Sequence, residues 1–332
     1  MAQVLVTGVG GGVGQSIVKS LQATPYSVIA VDSDPLAAGL YGAQRGYTVP
    51  VAAESGPYLS RLIEIATRER CALLFPGLDT ELPVLAANAD RLRDAGVRAV
   101  VSSPEVIAIA DDKLATARFL EARGFPVPRT VLLSECRGLE PHRALVLKPR
   151  SGGARSRGVF VVRSPADLER CRGLVSPENY VAQELIDGDE YTCGSVTLDG
   201  KCHGTIVMRR ILRDGDTYKA FVVTDERLHA HVKAVAEALG PFGPCNVQLR
   251  VRDGTPYVFE INARCSGTTH ARALAGFNEP LMTADSLLAG RLPAYAIREI
   301  TVLRYWQELV VEGPRVSAVK TSGVVDGDGT RL

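Results

Sequence analysis

Two polar residues in the second half of the chain are spaced to share one face of a β-strand. The stretch NVQLRVRDGTPYVFEINARCSGTTH spans residues 246–270 and is typical of two strands joined by a turn. Glu260 and Asn262 are two residues apart, so their side chains point to the same side of the second strand. Phe259 and Ile261 point to the other side, where we expect them to pack in the core.

The length of the turn decides whether Gln248 joins this pair. A two-residue Asp-Gly turn pairs Gln248 with Phe259, whereas a three-residue Asp-Gly-Thr loop pairs it with Glu260. We predict the longer loop, with Gly254 in the left-handed region. Three oxygen-bearing side chains on one face suit Mg²⁺, and Arg264 just beyond them could stabilise charge on a transferring phosphoryl group. The alternative is an ordinary polar face of an exposed hairpin.

A glycine-rich loop lies about a hundred residues upstream. In ALVLKPRSGGARSRGVFVV, residues 144–162, two β-type runs flank the loop SGGARSRG, and Lys148 ends the first run. Backbone amides and a nearby ammonium group can bind phosphates, although the absence of GKS or GKT excludes a Walker A loop. The alternative is a mobile hairpin with a solvated lysine.

The N-terminal hundred residues alternate strand-like and helix-like segments, which predicts a parallel sheet. The turn TGVGGGVG, residues 7–14, would lie at the carboxyl edge of that sheet and fits the looser pattern TGxxxGxG. With Asp32 ending the second strand, it is similar to a short-chain dehydrogenase. No tyrosine in the chain is followed four residues later by the lysine that such an enzyme needs. The strand-like runs are 3–7, 27–32, 47–51, 71–77 and 97–102, and helices are predicted over about 57–70 and 80–94. A further helix is predicted to be capped by Asp111 and to end at Gly124.

The composition is that of a globular protein with a substantial core. Of 332 residues, 46% are hydrophobic and 23% are charged, and the formal net charge of +1 gives no basic surplus for nucleic acid or a membrane surface. The start of the chain does not resemble a signal peptide, and the seven scattered cysteines form no CxxC. We therefore expect a cytoplasmic protein with reduced thiols.

Taken together, these segments resemble the ATP-grasp superfamily, and within it the branch like the large subunit of carbamoyl-phosphate synthetase. The resemblance covers about residues 1–312 and is carried by Lys113, Lys148 with SGGARSRG, VAQELIDGDEYT, and VQLRV followed by VFEINAR. It implies a Rossmann-like pre-ATP-grasp α/β domain followed by a two-subdomain ATP-grasp fold. The domain ranges expected are 1–110, 111–182 and 183–312, with 313–332 as a candidate flexible tail.

The resemblance also implies roles for individual residues. Lys113 would reach the α-phosphate of ATP, Lys148 would bridge phosphates and adenine, Glu190 would take the ribose hydroxyls, and Arg264 would stabilise an acyl phosphate. One or two Mg²⁺ ions, which Mn²⁺ can replace, would be held by Gln248, Glu260 and Asn262. The remaining ATP contacts would be Ser151, Gly152 and Gly153 of the loop and Glu184, Leu185 and Ile186 at the adenine edge.

The activity implied is that of a carboxylate–amine ligase that forms an amide or peptide bond through an acyl phosphate and releases ADP and phosphate. Carbamoyl phosphate synthesis is not expected, because the chain is far shorter than a synthetase large subunit. The partners would be a small carboxylate and an amine, with a homodimer as the candidate assembly.

Alternatives are a dehydrogenase that binds NAD(P) and a non-catalytic nucleotide-binding regulatory module. Candidate substrate contacts are Gly11, Gly12, Asp79, Glu81, Arg210, Thr268 and His270.

Overall fold

The computed structural model describes residues 2–137, 144–153 and 156–327. Its first sheet has the strands β1 (Ala2–Val6), β2 (Tyr26–Asp32), β3 (Arg45–Thr48), β4 (Cys71–Phe75), β5 (Arg98–Ala99) and β16 (Val324–Asp326). Their order is β16-β3-β2-β1-β4-β5, and β1 to β5 are parallel, as predicted from the alternation of segments. The glycine turn after β1 therefore lies at the carboxyl edge of a parallel sheet.

Helices cover both faces of this sheet, which is why its central strands β1, β2 and β4 are mainly apolar. Val4 and Val6 pack into a core on one face, and Leu5 packs with Leu62 on the other. The helix predicted over residues 80–94 is interrupted at Asn88, whose side-chain amide donates to the carbonyl of Val84 at 2.9 Å. The helices are α1 (Gly12–Leu21), α2 (Ala38–Gly42), α3 (Ser55–Glu69), α4 (Leu82–Ala87), α5 (Ala89–Asp94) and α6 (Pro104–Asp111).

The next helix, α7 (Lys113–Glu121), begins one residue later than predicted. Asp112 is its N-cap and accepts hydrogen bonds from the amides of Leu114 and Ala115, whereas Asp111 ends α6. Lys113 therefore opens α7 at the point where the chain leaves the first sheet.

A small antiparallel sheet follows, in which β9 adjoins both β6 and β7. Its strands are β6 (Thr130–Leu132), β7 (Leu145–Pro149), β8 (Phe160–Val162) and β9 (Tyr180–Glu184), in the order β6-β9-β7-β8 and with helix α8 (Pro165–Arg172) beside them. The predicted boundary at residue 182 cuts through β9, so we place that boundary after Glu184.

A six-stranded antiparallel sheet carries the rest of the candidate site. Helix α9 (Glu226–Leu239) packs with α7 against one face, and α10 (Thr269–Leu274) and α11 (Glu279–Ala289) cover part of the other. The uncovered part of that second face lines a cleft. The strands are β10 (Asp189–Leu198), β11 (Lys201–Arg213), β12 (Asp216–Val223), β13 (Gly243–Arg252), β14 (Thr255–Asn262) and β15 (Thr301–Leu303), in the order β14-β13-β10-β11-β12-β15.

The segment expected to be a flexible tail returns to the first sheet instead. Helix α12 (Gly313–Ser322) buries Val319 in the N-terminal core, and β16 pairs antiparallel with β3 and buries Val325. Short elements of this kind are stabilised by burial rather than by periodicity, so the lack of a pattern misled the prediction. Residues 328–332 of the expected tail lie outside the described residues. Within the described ranges, no helix has the length and apolar character needed to cross a membrane.

Candidate active site

One cleft of about 820 Å³ opens between the three sheets. It is lined by the glycine turn after β1, the segment after β4, the glycine-rich loop and the uncovered face of the large sheet. Residues predicted from separate stretches of sequence are therefore brought to one place by the fold.

The hairpin of β13 and β14 differs from the prediction in its turn and agrees with it in its pairing. The turn has two residues, Asp253 and Gly254, with φ values of 52° and 75°, as a type I′ turn requires. The three-residue loop was thus wrong, although Gly254 is left-handed. A β-bulge beside Gln248 then shifts the register, so that Gln248 pairs with Glu260 as predicted.

The bulge also changes which side chains enter the core. Val258 and Ile261 are buried in it, whereas Phe259, predicted to join them, lines the cleft. The Lys148 ammonium group lies 5.0 Å from the centroid of the Phe259 ring, within the range of a cation–π interaction. Phe259 is therefore part of the site, because the bulge places two consecutive residues on the same face.

The predicted metal ligands form a hydrogen-bonded cluster. Glu260 Oε1 accepts from the amides of Gln248 and Asn262, each at 3.2 Å. Asn262 Oδ1 accepts from Asn246 at 2.9 Å. The described part of the chain contains no group of three His, Cys, Asp or Glu side chains that could hold a metal. One carboxylate with neighbouring amides fits a hard cation such as Mg²⁺ that takes most of its ligands from nucleotide phosphates and water.

Two lysines face the cleft beside the glycine-rich loop. Lys113 Nζ donates to the carbonyl of Gly152 at 3.0 Å, and Asp111 accepts from the Gly152 amide at 3.2 Å. Lys113, Gly152 and Glu260 all line one pocket of about 150 Å³. Burial lowers the pKa of Lys148 to about 8, and the Glu260 carboxylate offsets part of that effect.

The loop's first residues are described and its centre is not. Gly152 and Gly153 have φ values of 63° and 84°, a conformation that favours glycine, and Ser151 before them is exposed. Both glycines line the cleft. Ala154 and Arg155, in the middle of the predicted phosphate loop, lie outside the described residues.

The predicted adenine edge, residues 184–186, forms one wall of the cleft. The Leu185 amide already donates to the carbonyl of Ala144 at 2.9 Å, and the Ile186 carbonyl accepts from Arg250 at 3.1 Å. The Glu184 carboxylate accepts from Arg252 at 3.1 Å. A base bound here would use the backbone positions that these contacts leave open.

Glu190, predicted to bind ribose, lies between two arginines. Its Oε1 accepts from Arg210 at 2.6 Å, and its Oε2 accepts from Arg250 at 2.6 Å. Burial alone would raise the pKa of Glu190, but the two guanidinium groups outweigh it and hold the pKa below its usual value. The carboxylate is therefore ionised and fixed in orientation.

Arg210 faces the cleft and its neighbour Arg209 does not, in keeping with the alternation of side chains along β11. Arg209 packs over the ring of Phe221 at 4.6 Å. Arg210 was expected to bind a substrate carboxylate, but it donates to Glu190 and also to Gln248 Oε1 at 2.6 Å. Arg210 therefore binds the predicted ribose and metal residues, and these bonds do not leave its guanidinium open for a substrate carboxylate.

Arg264 forms an ion pair with Asp79 from the first sheet. Its Nε donates to Asp79 Oδ1 at 2.8 Å, its Nη2 donates to Oδ2, and its Nη1 donates to the carbonyl of Cys265 at 2.7 Å. Glu81, a candidate substrate contact like Asp79, is buried and accepts a hydrogen bond from Thr7. It points into the N-terminal core instead of the cleft, because the short helical turn after β4 separates the two side chains.

The glycine turn is used for packing and as a wall of the cleft. Asp32 accepts from the amide of Gly10 at 2.7 Å and from that of Asp34 at 2.9 Å, so its carboxylate is engaged in the turn itself. Gly11 and Gly12 line the cleft with Thr268. The glycine turn therefore lies at the end of the cleft next to Arg264.

His270 is placed outside this wall. Its backbone amide donates to Ser16 at 2.7 Å, and its ring is not part of the cleft lining. Burial, with the nearby charges of Lys19 and Arg304, lowers the pKa of His270, which favours the neutral imidazole. His270 is therefore a candidate residue that the fold does not bring to the cleft.

Sequence reasoning missed two arginines and an asparagine. Arg250 shares the site face with Gln248, and alternation along β13 could have identified it. Arg272 is fully buried with Glu279 at 2.9 Å, and it donates to Asn246 and Thr192. Its position on α10 gave no periodic signal, because its partners lie on the next helix, α11, and on two strands distant in sequence.

Two family models match the chain. Residues 4–100 match the PylC-like N-terminal domain, and residues 176–308 match a family described as ATP-grasp in the biosynthetic pathway with Ter operon. The carbamoyl phosphate synthase large chain of Deinococcus radiodurans is 27% identical over 355 residues, which covers 93% of this chain and 33% of that protein. The corresponding chain of Mycobacterium bovis is 29% identical over 202 residues, covering 54% and 18%. The chain thus spans about a third or less of the length of these curated relatives.

Solved structures show the same fold at low sequence identity. An L-amino acid ligase from Bacillus licheniformis has a TM-score of 0.68 and 18% identity, covering 86% of this chain and 74% of that one. The ADP complex of an N5-carboxyaminoimidazole ribonucleotide synthetase has a TM-score of 0.71 and 15% identity, covering 97% and 84%. At these identities the likeness establishes the architecture, and the chemistry must be argued from the residues.

Proposed function

We propose that this chain, an ATP-grasp protein with a PylC-like N-terminal domain, is an ATP-dependent carboxylate–amine ligase that releases ADP and phosphate. Proteins similar to it are named as a synthase, a synthetase and a ligase. The observation that supports the proposal best is the convergence of Lys113, Lys148, Glu260 and Arg264 on one cleft.

The nucleotide would lie between the small and large sheets. Lys113 and Lys148 would neutralise phosphate charge. Lys113 would exchange its hydrogen bond to the Gly152 carbonyl for one to a phosphate oxygen. Mg²⁺ held by Glu260 and Asn262 would supply further charge neutralisation on the phosphates. Glu190, fixed by its arginines, would accept hydrogen bonds from ribose hydroxyls.

The reaction would proceed in two displacements. A carboxylate oxygen of the acid attacks the γ-phosphorus of ATP, the bond to ADP breaks, and an acyl phosphate forms. The amine nitrogen then attacks the acyl carbon, and phosphate leaves with the former carboxylate oxygen and the proton lost by the nitrogen. Arg264 would stabilise the negative charge of the acyl phosphate, and Asp79 would hold its guanidinium in place.

The acid and the amine would occupy the end of the cleft away from the adenine wall. That end is formed by the glycine turn, Asp79, the segment at Gly267 and Thr268, and Arg304 at the rim. Glycines there permit a close approach of backbone amides to a substrate. Enclosure by two sheets would keep water from the acyl phosphate and hold both reactants together.

The two alternatives are less well supported. A dehydrogenase would need an acid such as Asp32 for the ribose of NAD, but that carboxylate is engaged by two backbone amides of its own turn. A non-catalytic module would not need the ion pair that orients Arg264 towards the cluster at Glu260. The arrangement is therefore better suited to phosphoryl chemistry than to either.

A phosphate-release screen tests the proposal. Purified protein with Mg-ATP is assayed against a matrix of carboxylic acids and amines, and we expect release that requires both partners. Glu260→Gln serves as the inactive control, because it keeps the side-chain size and removes the charge. No release with any pair, together with thermal stabilisation by NADH and none by Mg-ATP, would overturn the proposal.

A further inference from the structure

Gln248 is oriented by Arg210. Arg210 Nη2 donates to Gln248 Oε1 at 2.6 Å, and Gln248 Nε2 donates to Glu260 Oε1 and Asn262 Oδ1 at 3.2 Å each. The first bond is short and charge-assisted, so it is the stronger contact. Rotating the amide by half a turn would place its N–H groups against the guanidinium and lose that bond. Gln248 therefore turns donors, rather than an oxygen, towards the predicted metal ligands.

A second arginine acts in the same way one row further along the sheet. Arg272 and Thr192 both donate to Asn246 Oδ1, and Asn246 Nδ2 then donates to Asn262 Oδ1 at 2.9 Å. Asn246 is thereby oriented as a donor too. Glu260 and Asn262 are left as the two side chains able to offer an oxygen to a cation, and no hydrogen bond within the described residues reaches Glu260 Oε2.

The charge on this face is positive. Glu190 is shared by Arg210 and Arg250, so one carboxylate balances one of the two guanidinium charges. Gln248 beside Arg210 is neutral, and the Glu260 carboxylate that it contacts is offset by the nearby Lys148 ammonium group. The uncompensated charge lies in a cleft where Arg210 is about 11% exposed, so it is screened less than a surface charge would be.

We propose that the chain binds ATP with one divalent cation, held by Glu260 and Asn262, and that Arg210 replaces a second cation. Arg210 does so by keeping Gln248 from coordinating and by supplying positive charge to the same cleft. This inference rests on the proposed ATP site. Asn262 would release its 3.2 Å bond to Gln248 to bind the cation, whereas the charge-assisted bond between Arg210 and Gln248 would persist.

The stoichiometry of Mn²⁺ binding tests this directly. The full chain is saturated with the non-hydrolysable analogue AMP-PNP and titrated with Mn²⁺, with free ion measured by electron paramagnetic resonance. We expect one Mn²⁺ for each bound nucleotide in the unmodified protein. Gln248→Met should keep that stoichiometry, and Glu260→Gln should lose it. Two ions in the unmodified protein, or loss of the ion in Gln248→Met, would overturn the inference.

The role of Arg210 has its own readout. Arg210→Met should weaken AMP-PNP binding at saturating Mn²⁺ by about 10-fold, as expected for loss of one partly buried charge contact. Arg209→Met is the matched control, because Arg209 lies on the same strand and packs over Phe221 away from the cleft. Equal affinities of the two variants would contradict the replacement of a cation by Arg210. Failure of AMP-PNP to bind at all would instead contradict the proposed function, and this inference with it.

Discussion

Arg264 just after β14 and Asp79 just after β4 form an ion pair across 185 residues of sequence, with 2.8 Å between Nε and Oδ1. A second bond joins Arg264 Nη2 to Asp79 Oδ2. Such paired bonds fix the plane of a guanidinium as well as its position. The N-terminal sheet thus sets the orientation of the arginine that we assign to the acyl phosphate.

Loss of the Asp79 charge should slow the chemical step. In Asp79→Asn the side chain keeps its size, but Arg264 loses its ionic partner, and we expect kcat to fall about 10- to 100-fold, by analogy with other outer positioning groups. The KM for Mg-ATP should change less than kcat, because Asp79 pairs with Arg264 and not with either lysine or with Glu260. Steady-state phosphate release measures both constants.

Asp90→Asn is the control, since Asp90 is exposed and paired with Arg93 on the surface of the same domain. If the two variants had the same kcat, the positioning role of Asp79 would be refuted.

Removal of the Glu260 carboxylate should abolish most of the activity. Glu260→Ala deletes the one carboxylate of the cluster at β13 and β14, and we expect a rate loss on the order of 100-fold or more, comparable with other electrostatic stabilisers. Phosphate release with an active acid and amine pair is the measurement. Turnover at the unmodified rate would contradict the role given to Glu260.

Nucleotide affinity should depend on pH through Lys148. Its pKa is lowered to about 8 by burial, so the ammonium group is lost as the pH rises through that value. The dissociation constant for Mg-ATP should therefore increase between about pH 8 and 10, approaching 10-fold for each pH unit. Calorimetric titration across this range measures the effect.

Lys148→Arg provides the comparison, because arginine stays charged throughout this range. A flat profile in the unmodified protein, or the same slope in Lys148→Arg, would show that another group is responsible.

The stability of the protein should fall as Glu81 ionises. Burial raises the pKa of Glu81 to about 7, so the folded state favours the protonated form. This contribution is complete below the ordinary pKa of a glutamate and is lost as the pH rises through about 7. The shift corresponds to roughly 3 kcal/mol of unfolding free energy.

Thermal unfolding of the unmodified protein and of Glu81→Gln between pH 5 and 8 isolates this contribution. The Tm of the unmodified protein should decrease relative to that of the variant as the pH rises. Parallel curves would mean that Glu81 does not titrate in this range.

The buried pair of Arg272 and Glu279 should be strongly coupled. Both side chains are fully buried, so Arg272→Met leaves an uncompensated carboxyl group and should cost about 3–5 kcal/mol of unfolding free energy. The double variant Arg272→Met with Glu279→Met should recover much of that loss. Denaturant unfolding of the two single variants and the double variant gives the coupling, and additive losses would contradict it.

The sequence predicted the parallel sheet well, because both of its faces are covered and its central strands β1, β2 and β4 are mainly apolar. It also predicted that Gln248 lies opposite Glu260. It missed the mechanism of that pairing, since an Asp-Gly dipeptide is compatible with turns of two lengths and a bulge leaves no local signature. The same bulge explains why the prediction that Phe259 packs in the core was wrong, because it adds one residue to β14.

Other features depended on partners that sequence spacing does not reveal. Arg210 was a candidate substrate contact, but its partners Glu190 and Gln248 lie on two other strands, 20 and 38 residues away. The pairing of β16 with β3 joins opposite ends of the chain. Such contacts are set by tertiary packing, which overrides local propensity.

The transfer of ¹⁸O from substrate to phosphate tests the central claim most directly. The acid of an active pair is labelled with ¹⁸O in its carboxylate, and the phosphate released from Mg-ATP is analysed by mass spectrometry. An acyl phosphate intermediate predicts one ¹⁸O atom in each released phosphate, because the carboxylate oxygen that attacks the γ-phosphorus leaves with it. Release of unlabelled phosphate would contradict carboxylate activation by this protein.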